Sequence, residues 1–337
     1  MAGGRGLSVV RGLAASALVS RLLPAVLGPQ PDAGHEELGP YLGGGGDARV
    51  REMSPGVSAH EGEVLEWDRA EEASRTWRWL QAQPGGFERV EAASDDGTRL
   101  VGHALACHPG SARWLLFVHG YHDNWRTGLT YARRYAEAGF NLLFVDLRAH
   151  GESGGDWVGA GWLDRRDLVA WCRWAVARAG DGARIVLAGI SMGAASCLMA
   201  CGEKDLPSQV CACVADSGYA DFWRTAENVV ETGSLGTPPA AAHPLVDVAR
   251  RRLMKARGGY DLRLARPVDA LSRTRVPVMV IHGEADRVVP AYMARELAAA
   301  GSGHQLELFP GAGHCCAVFA DPERYWGCVL GFLGRWV

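Results

Sequence analysis

Ser191 stands in the pentapeptide Gly189-Ile190-Ser191-Met192-Gly193, with an apolar run at residues 184–188 before it and helix formers at 194–200 after it. A serine on a tight strand-to-helix turn takes strained backbone angles, and side chains two residues either side would collide, so glycine is needed at both. The strain lifts the hydroxyl above the sheet at the start of a helix. A serine hydroxyl is a weak nucleophile: it needs a base, and the base needs an orienting acid. The chain supplies both, in the order Ser, Asp, His expected of such a sheet. Asp286 lies in His282-Gly283-Glu284-Ala285-Asp286-Arg287-Val288-Val289-Pro290, and His314 in Gly311-Ala312-Gly313-His314. The oxyanion formed on attack needs two backbone N–H donors. Met192, at the helix N-terminus, is expected to give one. Tyr121, in His119-Gly120-Tyr121, is expected to give the other, with its ring walling the acyl pocket. Tyr219 and Trp223 are the further residues expected to contact substrate.

Each member has a rival. Asp216 also ends a strand and competes for the role of acid, with Glu284 a lesser rival. His282 reads as a structural strand-end residue, and His150 as a group that fixes its own loop by hydrogen bonds. Cys315 and Cys316 follow His314 but have no elbow or paired acid, so they read as packing. Asp221 and Glu231 are the acids that could anchor a substrate amine if the enzyme cleaved peptides.

The elements that must position these residues alternate. Residues 87–105 read as strand, turn, strand, with the hairpin signal Asp95-Asp96-Gly97. Buried-type strands follow at 114–118, 140–145, 184–188, 210–215, 276–281 and 305–309. Helices are expected at 129–138, 163–179, 194–200, 291–300 and 322–336. Cys211 and Cys213 alternate within one strand, so their thiols are expected to share a face. This order predicts an α/β fold with a mostly parallel sheet covered by helices on both faces, its chemistry at the carboxyl ends of the strands. Residues 217–275 break the alternation and read as a small helical cap, with one helix at 244–256. The basic cluster Arg250, Arg251, Arg252, Lys255 and Arg257 reads as a solvated helix face.

Ahead of the main domain (87–337), residues 56–86 read as a docking helix, held by apolar residues that include Trp67, Trp77 and Leu80. Residues 1–55 read as a flexible arm and linker, rich in Gly and Pro toward its end. Residues 12–28 are mostly apolar but interrupted by Arg21 and Pro24, so weak membrane association through residues 1–31 is the competing reading.

At 337 residues, 48% hydrophobic and 22% charged, the chain can bury a large core, and its net charge of −3 argues against nucleic-acid binding. Nine cysteines without a C-x-x-C pair read as reduced thiols, which fits a cytoplasmic protein. No metal or organic cofactor is implied.

His119-Gly120-Tyr121, Asp146-Leu147-Arg148-Ala149-His150-Gly151-Glu152-Ser153, the Ser191 pentapeptide and the Asp286 and His314 loops together resemble the α/β-hydrolase superfamily over about residues 87–337. Within it, Asp216-Ser217-Gly218-Tyr219 and Gly258-Gly259-Tyr260 are similar to a bacterial branch of cinnamoyl-esterase-like and serine-aminopeptidase-like hydrolases. Some members of that branch begin with a membrane-anchor helix. The resemblance implies a carboxylesterase-like serine hydrolase acting on a small ester or amide. A peptidase, amidase or thioesterase with the same triad is the enzymatic alternative. A non-catalytic binding protein on the same scaffold is the alternative of another class. Oligomeric state and substrate are not encoded in these motifs.

Overall fold

The computed structural model describes residues 23–24, 26–31, 71–72, 74–231 and 242–337. The linker at 32–55, Trp67 and the prolines at 238–239 lie outside the described residues. Among the described residues there are ten strands: β1 Gln30–Pro31, β2 Glu88–Ala93, β3 Arg99–Leu105, β4 Arg113–Val118, β5 Asn141–Val145, β6 His150–Gly151, β7 Arg184–Ile190, β8 Val210–Asp216, β9 Val278–Gly283 and β10 Gln305–Phe309. Eight of them form one sheet in the order β10-β9-β8-β7-β4-β5-β3-β2. The hairpin β2–β3 and the β3–β5 pair are antiparallel, and the remaining pairs are parallel.

The central strands are apolar throughout because both faces are covered. In β4, Trp114, Leu116 and Val118 point into one core, while Leu115 and Phe117 point into the other. Helices α2 Asp164–Ala179 and α3 Met192–Ala200 cover the first face. On the opposite face lie α1 Leu129–Glu137 and a C-terminal helix, Pro322–Leu333. The Cys211/Cys213 expectation fails. Ile185 pairs with Val210 but Val186 pairs with Ala212, so Cys211 is an extra, bulged residue. The bulge resets the alternation: Cys213 joins the first core and Cys211 packs against the second.

Between β8 and β9 the described residues form no strand. They include helices Phe222–Glu231, Ala242–Leu253 and Pro267–Leu271. Trp223, Val230 and Val246 make a small cluster of their own there. The basic face at 250–257 is partly neutralised: Arg250 pairs with Asp261, and Arg251 with Asp247 at 2.6 Å.

Residues 71–72 and 74–81 are helical, and of the residues read as holding this helix Leu80 does so and Trp77 does not. Trp77 is 40% exposed, whereas Trp79 and Leu80 pack on the second core. Arg133 clamps Glu72 with bonds of 2.7 and 2.8 Å. Residues 23–24 and 26–31, expected within a flexible arm, are docked instead. Leu23 and Leu27 are buried in the first core, the Leu27 carbonyl accepts from the Val158 N–H at 2.8 Å, and β1 pairs in parallel with β6. Leu23, Val26 and Leu27 share one helical face, and burying it outweighs the entropy of a free arm.

Candidate active site

The carboxyl ends of β4, β7, β8, β9 and β10 carry the residues singled out for chemistry. At the end of β7, Ser191 has φ 52° and ψ −119°, a backbone conformation that L residues seldom hold. A Cβ at position 193 would lie 2.3 Å from the carbonyl oxygens of Val118 and His119, and one at 189 would lie 2.7 Å from the Gly193 carbonyl carbon. Both glycines are therefore required by close backbone approach. The Ser191 N–H donates to the Asp216 carbonyl at 2.8 Å, which ties the turn to β8.

Ser191, His314 and Asp286 meet in a line. Ser191 Oγ and His314 Nε2 are 2.8 Å apart, and His314 Nδ1 lies 2.7 Å from Asp286 Oδ2. Asp286 Oδ1 accepts the N–H groups of Val288 at 2.9 Å and Val289 at 2.8 Å, which fixes the carboxylate plane. Burial alone would raise the Asp286 pKa, but the charge of His314 and the hydrogen bonds from His282 and His314 hold it down at about 2. The acid is thus ionised and aimed at the imidazole. With Nδ1–H donating to Asp286, Nε2 is left to accept the serine proton.

The rivals are placed elsewhere. Glu284 faces solvent and pairs with Arg295 at 3.3 Å. Asp216 is buried, and its carboxylate accepts from the Ser217 and Tyr325 hydroxyls rather than from His314. His282 is more than a strand-end filler: its Nε2 lies 2.7 Å from the Val289 carbonyl and 3.1 Å from Asp286 Oδ2. Burial pushes the His282 pKa down, but Asp286 beside it outweighs burial and the net direction is upward. The sequence signal for it was its position four residues before an acid that needed support. His150 does fix its loop: Nδ1–H donates to the Arg148 carbonyl at 3.0 Å, and Nε2 accepts the His122 N–H at 3.3 Å.

The His119–Tyr121 loop is oriented by His119. Its Nε2 accepts the Leu147 N–H at 3.0 Å, so its Nδ1 carries the proton and donates to the Gly120 carbonyl at 2.6 Å. Burial lowers the His119 pKa to about 4, which keeps the ring neutral. In a trans peptide the Gly120 carbonyl and the Tyr121 N–H point in opposite directions, so this bond also sets the direction of the Tyr121 amide. A Cβ on Gly120 would lie 3.4 Å from the Ser191 Cβ, so the loop borders Ser191. Met192 is the first residue of its helix, where the N–H has no intrahelical acceptor.

Of the three expected substrate contacts, the structure leaves Tyr121 accessible, 38% exposed. Its hydroxyl donates to the Val26 carbonyl of the docked N-terminal segment, a contact that sequence reasoning missed. Tyr219 and Trp223 are buried instead. Tyr219 belongs to the first core, and Trp223 packs with Val230 and Val246 while its Nε1–H donates to Glu227 at 2.7 Å. Both are consumed by packing, because aromatic rings at the roots of a helical insertion supply the area that holds it down. Asp221 is also committed. Oδ1 accepts the Trp223 N–H at 2.9 Å, and Oδ2 pairs with Arg266 at 2.6 Å. Among the described residues, no group of three or more His, Cys, Asp or Glu is arranged to hold a metal ion, and no helix is long and apolar enough to cross a membrane.

The chain is similar to known proteins. Protein YqkD of Bacillus subtilis is 26% identical over 217 residues, covering 63% of this chain and 68% of that protein. Protein YfhR of Escherichia coli is 27% identical over 244 residues, covering 71% and 76% respectively. Both carry the description uncharacterized. Among solved structures, the Pyrococcus furiosus esterase Pf2001 superposes with a TM-score of 0.58 at 24% identity, covering 74% of this chain and 91% of that one. The family model for the alpha/beta hydrolase family matches residues 115–326, a span that runs from β4 into the last helix and holds the elbow and both loops that meet it. With that span, a mostly parallel eight-stranded sheet and a strained serine at the end of β7, the chain belongs to the α/β-hydrolase family.

Proposed function

We propose that this hydrolase cleaves carboxylic esters through an acyl-enzyme on Ser191. The observation that carries the reading is the continuous hydrogen-bonded line Ser191–His314–Asp286 on a strained elbow. Ser191 Oγ attacks the ester carbonyl carbon as its proton passes to His314 Nε2. Asp286 stabilises the imidazolium so formed. The oxyanion accepts from the Tyr121 and Met192 N–H groups, aided by the positive end of the helix dipole. The intermediate collapses, the carbon–oxygen bond to the alcohol breaks, and His314 returns its proton to the leaving alkoxide. Water then attacks the acyl-enzyme, with His314 again as base, releasing the acid and restoring Ser191. The family membership and the esterase among the structural neighbours support hydrolysis as the reaction class.

The test is a pair of assays on wild type and Ser191→Ala: turnover of short p-nitrophenyl esters and labelling by a fluorophosphonate. Wild type is expected to do both. The variant is expected to lose labelling and to lose turnover by about four orders of magnitude or more, as when a nucleophile of this kind is removed. Equal rates in the two proteins would remove Ser191 from the reaction.

A further inference from the structure

The loop carrying His314 is held on two sides. Toward β9, the N–H of Glu284 donates to the Phe309 carbonyl and that of Ala285 to the Ala312 carbonyl, each at 2.9 Å. Toward β8, the Cys315 N–H donates to Ser217 Oγ at 3.0 Å. That N–H lies in the same rigid peptide plane as the His314 carbonyl, so its partner sets the backbone from which the imidazole projects. The Ser217 hydroxyl proton is itself committed, to Asp216 Oδ1 at 2.9 Å, and the other Asp216 oxygen accepts from the Tyr325 hydroxyl at 3.1 Å. Asp216 and Ser217 are 1% and 0% exposed, so no solvent competes for these bonds. Burial raises the Asp216 carboxyl to about 6, which leaves it ionised at neutral pH. An ionised carboxylate only accepts, so the Ser217 proton turns toward it and a Ser217 lone pair is left for Cys315. Ser217 and Cys315 both have φ 57°, a left-handed conformation that non-glycine residues seldom adopt. Such conformations persist where the surroundings over-determine them. The same two residues share the hydrogen bond, so the constraint falls on the peptide next to the base.

We propose that Asp216 and Ser217 are positioning residues for the base: Asp216 polarises and orients the Ser217 hydroxyl, and that hydroxyl locks the His314–Cys315 peptide so that Nε2 stays on Ser191. The inference rests on the hydrolytic reading of Ser191 and His314. Asp216 here acts through Ser217 and touches neither the imidazole nor the substrate.

Ser217→Gly tests it. Glycine accepts the left-handed turn without strain, so the backbone is kept while the hydroxyl is lost. With active sites titrated, kcat for a short p-nitrophenyl ester is expected to fall by about tenfold or more with KM within about twofold, because a misaimed base impairs the step and not the binding. Fluorophosphonate labelling of Ser191 should slow by a similar factor. A role confined to stability would lower the melting temperature and the fraction of titratable sites but leave kcat per site unchanged. That result overturns the proposal. Asp216→Asn keeps a neutral acceptor for Ser217, so its kcat is expected between wild type and the glycine variant. A value equal to wild type, or below that of Ser217→Gly, overturns the role given to Asp216. A wild-type protein that is neither labelled nor active overturns the hydrolytic reading together with this one. Labelled wild type and an equally fast glycine variant overturn this one alone.

Discussion

Asp164 shows how one buried side chain sets a pH response. It is fully buried, its Oδ2 accepts the Gly161 N–H at 2.6 Å, and its Oδ1 has no partner among the described residues. Burial first, then the neighbouring Asp167, raises its pKa from the ordinary 3.8 to about 7, against the pull of Arg148. Tyr219 and Tyr260, both within the helical insertion, lie close enough for Asp164 to raise their own pKa values. Between about pH 4 and 7 the folded carboxyl keeps a proton that the unfolded chain has lost. The native state binds more protons there, so this group makes stability fall as pH rises through that window. Asp164→Asn removes the ionisation and keeps an acceptor for Gly161. Its melting temperature is expected to gain several degrees relative to wild type at pH 8 compared with pH 5. An identical difference at both pH values would refute the shift.

Among the elements, the docked segment of residues 23–24 and 26–31 was the least foreseeable. It is tied to the molecule by Leu23 and Leu27 in the core, by β1 against β6, and by the Tyr121 hydroxyl on the Val26 carbonyl. Through Tyr121 it reaches the loop proposed to hold the oxyanion. Leu27→Ala is expected to destabilise the protein by about 2 kcal/mol or more, the lower range for a buried leucine. Urea unfolding would measure it, and an unmoved midpoint would mean that the segment is not part of the folded unit. Other elements were plainer. The strand at 305–309 was legible to the residue, since a turn and a Pro-Gly pair bound it. The helix Phe222–Glu231 was not read, although Asp221 stood at its start as an N-capping acid. Trp223, Ala226 and Val230 face a local cluster, while Phe222 alone reaches the first core, so most of its apolar face is covered within the insertion.

For the molecule as a whole, the sheet brings Ser191, His314 and Asp286 together, and under the proposed hydrolytic reading the helical insertion between β8 and β9 would choose the substrate. Of the two acids read as possible amine anchors, Glu231 is exposed at the far end of Phe222–Glu231, and Asp221, at the root of the insertion, is spent on the start of that helix and on Arg266. An incoming amine would find that charge already paired. We therefore expect p-nitrophenyl butyrate to exceed leucine p-nitroanilide in kcat/KM by about a hundredfold or more. Anilide turnover equal to or above the ester rate would point to an amine site elsewhere and to peptide chemistry.

Chain order, the two glycines around Ser191 and the alternation of apolar strands with helices determined the fold class and named Ser191, Asp286 and His314. These are local or periodic features, written directly in residue type and spacing. Tertiary structure decided what depends on groups distant in the chain. It placed Asp286 rather than Asp216 on the His314 imidazole, brought His282 against Asp286 and Ser217 against the Cys315 N–H, buried Tyr219 and Trp223, and turned Cys211 out of register with Cys213. It also docked residues 26–31 beside the His119–Tyr121 loop. Those outcomes turn on which buried polar groups find partners and which apolar faces find cover. Neither is settled until strands far apart in the chain lie side by side.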